Sequence, residues 1–159
     1  MWWMTAALAG SVDLGVGYTA VREAARYTSG PSASVRLVLG DDTKSHAWLA
    51  EARLRTHTLG TDAYLHRSRS VRLAVGHGWH TTTSGVRSDL WVGPAVEIRS
   101  ADIEGRSALR VFPAFRAATG VTFPFGEHVG LRFQSGVALN VVRGTRTDFD
   151  LLLGPEARW

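Results

Sequence analysis

The chain has 159 residues, enough for one domain with a substantial interior. It contains no cysteine, which excludes disulfides and thiolate metal centres, and arginine carries nearly all of its net charge of +4, since Lys44 is the only lysine. The arginines alternate with apolar residues instead of clustering, which argues against nucleic-acid binding, and no apolar run approaches the ~20 residues of a membrane-spanning helix.

Residues 1–10 form an apolar N-terminal segment with a small-x-small ending at Ala7, Leu8 and Ala9. It is similar to the tail of a secretory signal peptide without its charged start; an apolar extension at a membrane interface is the alternative. From residue 11 to 159 the dominant signal is period two, the signature of strands with two unlike faces. Val12, Leu14, Val16, Tyr18 and Ala20 share one face of the first segment, opposite Asp13, Gly15, Gly17 and Thr19. Ala33, Val35, Leu37 and Leu39 oppose Ser34, Arg36 and Gly40 in the second, and Trp48, Ala50, Ala52 and Leu54 oppose Glu51, Arg53 and Arg55 in the third. The fourth sets Val71, Leu73, Val75 and Trp79 against Arg72, Ala74, Gly76 and Gly78; the fifth sets Leu90, Val92, Val96 and Ile98 against Asp89, Gly93, Glu97 and Arg99.

In the long sixth segment Leu109, Val111, Phe115, Ala117, Val121, Phe123 and Phe125 oppose Arg110, Ala114, Arg116, Ala118, Gly120 and Thr122. Val129, Leu131, Phe133, Val137, Leu139 and Val141 oppose Gly130, Arg132, Gln134, Gly136 and Asn140 in the seventh; Phe149, Leu151, Leu153, Ala157 and Trp159 oppose Asp148, Asp150, Gly154, Glu156 and Arg158 in the last. Val38, Leu49, Trp91, Phe112 and Leu152 break the rule by standing on the polar face; Trp91 and Phe112 mark either bulges or interior fillers. The pattern predicts an all-β, up-and-down antiparallel barrel of about eight strands. Segments near 22–31, 57–68, 100–107 and 143–147 read as loops, and 41–46, 80–85 and 125–128 as tighter turns on the side of both chain ends.

Alternation leaves the inside undecided. An apolar face turned inward makes a soluble, lipocalin-like carrier of a hydrophobic ligand; turned outward, it makes a transmembrane barrel. Three features favour the second. The polar face combines small residues with charges of both signs, so that Arg36, Arg53, Arg55, Arg72, Arg99, Arg110, Arg116 and Arg132 can pair with Asp13, Glu51, Asp89, Glu97, Asp148, Asp150 and Glu156 in a narrow lumen. The aromatic residues Trp48, Trp79, Phe123, Phe125 and Trp159 gather towards the turn side, and Tyr18, Tyr27, Tyr64 and Phe149 towards the loop side, as two interfacial girdles require. The third is the C-terminus.

The ending, with Gly154, Ala157 and a terminal Trp159, resembles the C-terminal targeting signal of bacterial outer-membrane proteins, although Leu152 stands where that signal has a polar residue. The chain from 11 to 159 resembles the small OmpA- and OmpX-type eight-stranded barrels. That resemblance implies a bacterial outer-membrane location, a final strand read by the barrel-assembly machinery, and the tight-turn side in the periplasm. Partners would then be outer-membrane lipid, lipopolysaccharide and other envelope proteins, with no nucleic acid and no cofactor.

Functional candidates are sparse. His77 and His80 fall on opposite faces of a strand and cannot chelate together. His66, Arg67 and Ser68 have the His-x-Ser spacing of outer-membrane lipid A deacylases, but Arg69 replaces the asparagine that follows in that family, and the motif there lies nearer the C-terminus. Arg22, Arg26, Arg67, Arg69, Arg106, Arg143 and Arg146 lie in or beside the expected outer loops, where guanidinium groups pair well with the phosphates of lipopolysaccharide or another anionic partner. Ordinary solvated loop charge accounts for them equally. A non-enzymatic structural, scaffold or binding role follows from this balance.

Overall fold

The structure is a computed structural model that describes residues 10–23, 26–40, 45–61, 64–103, 106–141 and 145–159. Strands β1 (Gly10–Glu23), β2 (Arg26–Gly40), β3 (His46–Thr61), β4 (Tyr64–Thr83), β5 (Val86–Ile103), β6 (Arg106–Pro124), β7 (Val129–Val141) and β8 (Thr145–Arg158) follow one another round a closed antiparallel barrel. Each pairs with its sequence neighbours, and β8 closes on β1. The seam ends in reciprocal backbone bonds: the Gly10 amide donates to the Trp159 carbonyl at 3.2 Å, and the Trp159 amide to the Gly10 carbonyl at 3.1 Å.

The register never slips within any pair. Stepping from partner to partner, Asp13 leads to Arg36, Glu51, Ala74, Ala95, Ala114, Asn140 and Arg146, then returns to β1 at Glu23, ten residues higher. Eight strands with that stagger tilt about 40° from the axis and leave a lumen only wide enough for side chains. Unbroken register also decides the exceptions to the period. Trp91 and Phe112 are not bulges; Trp91 is fully buried, and Val38, Leu49 and Leu152 are buried beside the polar residues as interior fillers.

The apolar face is outside. Val16, Leu54, Val75, Leu109 and Leu151 are all more than half exposed, whereas Asp13, Arg36, Glu51, Arg116 and Asp148 are buried. A soluble barrel with an apolar cavity is therefore excluded, because the residues that would line it form the outer surface. A surface of this kind is stable in lipid: alternate residues face the chains while the ladders on both sides of each strand pair backbone groups within the sheet.

The connections differ from expectation. Most of 22–31, 57–68, 100–107 and 143–147 is paired strand, leaving only the positions between Glu23 and Arg26, Thr61 and Tyr64, Ile103 and Arg106, and Val141 and Thr145. Ser, Thr and Arg are polar enough to read as loop, yet nothing in them prevents extended pairing beyond the lipid belt. Length therefore does not separate loops from turns. The two ends differ instead because β3 to β6, at 16 to 20 residues, carry the hairpins of the loop end furthest. At the other end Ser84 (φ 51°) and Gly85 (φ 82°) make a two-residue turn, with the paired positive φ angles that a tight hairpin demands.

One contact shows how little slack the wall has. A Cβ on Gly93 would lie 1.9 Å from the Val75 carbonyl oxygen of the adjacent strand, whereas one on Gly126, in the turn before β7, would meet nothing within 4 Å. Gly93→Ala should lower the free energy of unfolding by about 1–3 kcal/mol, while Gly126→Ala should stay within about 0.5 kcal/mol. Urea titration of both variants in lipid vesicles, followed by tryptophan fluorescence, measures the difference.

Candidate functional site

Period two sends every second residue into the lumen, and the stagger brings residues from distant strands to one height. Three charged tiers result. In the tier nearest the chain ends Arg36 donates from Nε to Asp13 at 2.5 Å, and Arg132 grips both oxygens of Asp89 at 2.5 and 2.7 Å. Glu156 accepts from the Thr122 hydroxyl at 2.7 Å and from Arg158 at 2.8 Å. The side chain of Arg132 occupies the space over Gly120, where a Cβ would collide with its guanidinium.

The middle tier is the most enclosed. Arg116, with no exposed surface, donates to Glu51 at 2.8 Å and to Asp150 at 2.7 Å. Arg53 bridges the same two carboxylates, and Gln134 donates to Glu51 at 2.8 Å. The Arg116 guanidinium also stands 5.5 Å from the Trp91 ring centroid, a cation–π contact that joins the charges to the buried apolar cluster of Val38, Ala47, Leu49, Ala74, Ala95 and Ala118.

In the tier at the loop end Glu97 and Asp148 accept from several arginines at once. Arg55 donates to Glu97 at 2.7 Å and to Asp148 at 2.6 Å, Arg72 bonds both, and Arg146 donates to Asp148 at 3.0 Å. Asn140 adds a bond to Glu97 at 3.0 Å, and Arg99 lies 3.4 Å from the same carboxylate. With side chains buried at all three heights, the lumen is filled rather than open. Such pairs cost desolvation when formed, and removing one partner strands the other in a low-dielectric interior.

The predicted rim residues divide. Arg22 and Arg69 are exposed on the outer face near the loop end, and Arg22 sits 5.7 Å from the Tyr27 ring. Arg26, Arg67 and Arg106 belong to β2, β4 and β6, but their side chains, like Arg143 as a whole, lie outside the described residues. Arg146 is a correction. It is 3 % exposed and bound to Asp148, because it shares the inward parity of Asp148 and Asp150 and lies below the rim. Arg110 errs the other way: it has inward parity, yet it stands above the packed tiers and is exposed at the mouth.

At the terminal signal, Gly154 is buried against β1 while Ala157 and Trp159 face outward. Ser68 of the His-x-Ser pattern is 1 % exposed, and the His66 side chain falls outside the described residues. His77 lies outside the barrel between Trp48 and Trp79, each at 5.2 Å. Among the described residues no group of three potential ligands could hold a metal ion. Trp48, Trp79, Phe123, Phe125 and Trp159 are exposed near the chain-end rim, and Tyr18, Tyr27 and Phe149 nearer the loop end; the Tyr64 side chain lies outside the described residues.

What sequence reasoning could not supply is the pairing. Arg55 and Asp148 stand 93 positions apart and meet across the lumen, for which no local pattern exists. Asp148→Asn should destabilise the folded barrel by about 3–5 kcal/mol, measured as an earlier urea midpoint with a retained native fold.

No protein-family profile matches the sequence, and no curated protein is significantly similar to it. Solved structures are. Neisserial surface protein A superposes with a TM-score of 0.77 over 95 % of this chain and 99 % of its own, at 11 % identity. A major outer-membrane protein from Thermus thermophilus gives 0.68 over 96 % and 100 %, at 11 % identity. Ail, the attachment invasion locus protein of Yersinia pestis, gives 0.64 over 96 % and 99 %, again at 11 %. The chain therefore has the fold of the small eight-stranded β-barrels of bacterial outer membranes.

Proposed function

We propose that this protein is a non-catalytic barrel of a Gram-negative outer membrane that serves as a membrane-anchored scaffold and binds lipopolysaccharide, or an anionic envelope partner, at its outer rim. The observation that carries this reading is the division of charge. The buried arginines are held by carboxylates inside the lumen, whereas Arg22 and Arg69 stand exposed on the outer face beside the apolar belt. A guanidinium at that height meets lipid phosphates, and its planar fork suits their oxygens. Arg26, Arg67 and Arg106 belong to strands that reach the same end of the barrel, and with Arg143 of the sequence they would extend the proposed contact.

A filled lumen supports a scaffold over an open pore. The burial of Ser68 supports a non-catalytic role over lipid A hydrolysis, since a nucleophile must reach its ester. Gly154, Ala157 and Trp159 would present the last strand to the barrel-assembly machinery before the seam with β1 closes.

The full-length gene product should fractionate with the outer membrane and migrate faster unheated than boiled. Arg22→Gln with Arg69→Gln should leave that mobility unchanged and reduce co-purifying lipopolysaccharide several-fold. Equal retention by the variant and the parent would reject the lipid contact; a soluble, detergent-independent monomer would reject the membrane assignment.

A further inference from the structure

The pattern His-x-Trp occurs twice in the sequence, from His46 to Trp48 and from His77 to Trp79. Strands β3 and β4 run antiparallel and pair His46 with Trp79 and Trp48 with His77, so the two patterns cross on one patch of the outer wall. The histidines take one diagonal of that patch and the tryptophans the other, a spacing across which long side chains still touch. The His77 ring stands nearly perpendicular to both indoles, and the two imidazole centroids are 5.4 Å apart with their planes 37° from parallel.

Imidazole nitrogens suit zinc, copper and nickel among the divalent ions. Zinc binds such a nitrogen at about 2.0–2.1 Å, which puts each ring centroid about 3.2 Å from the ion and two centroids about 5.2 Å apart at the tetrahedral angle. The observed 5.4 Å fits one ion shared by both rings. Both rings are engaged through ring contacts; among the described residues neither has a hydrogen-bond or ion-pair partner to occupy its nitrogens. His46 is exposed at the first position of β3, which leaves its ring room to turn, whereas His77 is half-buried and held by the two indoles.

We infer that His46 and His77 form a binding site for a late first-row divalent ion, copper(II) or zinc, with water completing its coordination. Trp48 and Trp79 are positioning residues: they fix the His77 ring in advance, so less freedom is lost when the ion binds. The bound ion clips β3 to β4 where their ladder begins, beside the chain-end rim. Two protein ligands leave the remaining positions open, so the ion exchanges more readily than in a closed structural centre. The site lies at the opposite end of the barrel from Arg22 and Arg69 and uses neither, so it stands independently of the lipid contact.

The probe is copper(II) chloride, titrated into the full-length barrel folded in a zwitterionic detergent and a non-coordinating buffer, with tryptophan fluorescence as the first readout. Copper leads the affinity order of these ions, and as a paramagnetic ion beside Trp48 and Trp79 it quenches their emission. The parent protein should lose part of its fluorescence saturably, and a large excess of zinc should restore it by displacement. His77→Phe keeps a ring between the tryptophans but removes the donor nitrogen; it and His46→Gln should each weaken copper binding about tenfold or more. His128→Gln, at an exposed position in the turn before β7, should bind as the parent does. The electron paramagnetic resonance spectrum of the copper-loaded parent should show two coordinating nitrogens, and that of either variant should not. No saturable quenching in the parent, or parental affinity in a His77→Phe variant whose heat-modifiable mobility is intact, overturns the inference. An equal loss of binding in His128→Gln also overturns it, because the uptake would then be shared among exposed imidazoles.

Discussion

The geometry on which everything else depends is the closure of eight strands with a stagger of ten residues and no register slip. That closure leaves no strand without a partner on each side, so the ladders of the wall satisfy backbone groups within the sheet, which is the condition for crossing lipid. It also sets the lumen width. At this diameter nothing but side chains fits inside, and those side chains must be mutually compatible at each height.

The chemistry of the interior follows from that width. Long guanidinium side chains span the lumen to carboxylates on strands across it, as Arg55 does to Asp148 and Arg116 to Glu51. Small residues leave room for them, with Gly120 beneath Arg132 and Gly136 beneath Arg116. An apolar filling would resist desolvation costs better, but it would leave the inner and outer faces alike. Unlike faces keep each strand from flipping by one residue, since a slip would expose charges to lipid and bury leucine among arginines. The interior network thus specifies register as well as filling space.

Strand number and the two faces were legible from sequence because side-chain direction alternates locally along any strand. Among the described side chains, every apolar position from Val12 to Leu153 read as one face is on the outer wall. The loops were less legible: polar residues at 57–61 and 64–68 continue the β3–β4 ladder, and composition does not distinguish a solvated strand from a loop. Arg110 and Arg146 were misplaced for a related reason. Height relative to the rim is set by strand tilt, which no single segment encodes.

What the sequence determined by itself is therefore the periodic part: eight alternating strands, opposite charges on one face, aromatics towards the ends, and a terminal aromatic strand. Only the tertiary structure decided which face is inside, which carboxylate each arginine meets, and which arginines remain at the mouth. Those outcomes depend on the stagger around the closed barrel, a collective property of all eight pairings. Side-chain alternation, by contrast, is dictated residue by residue by the backbone of each strand.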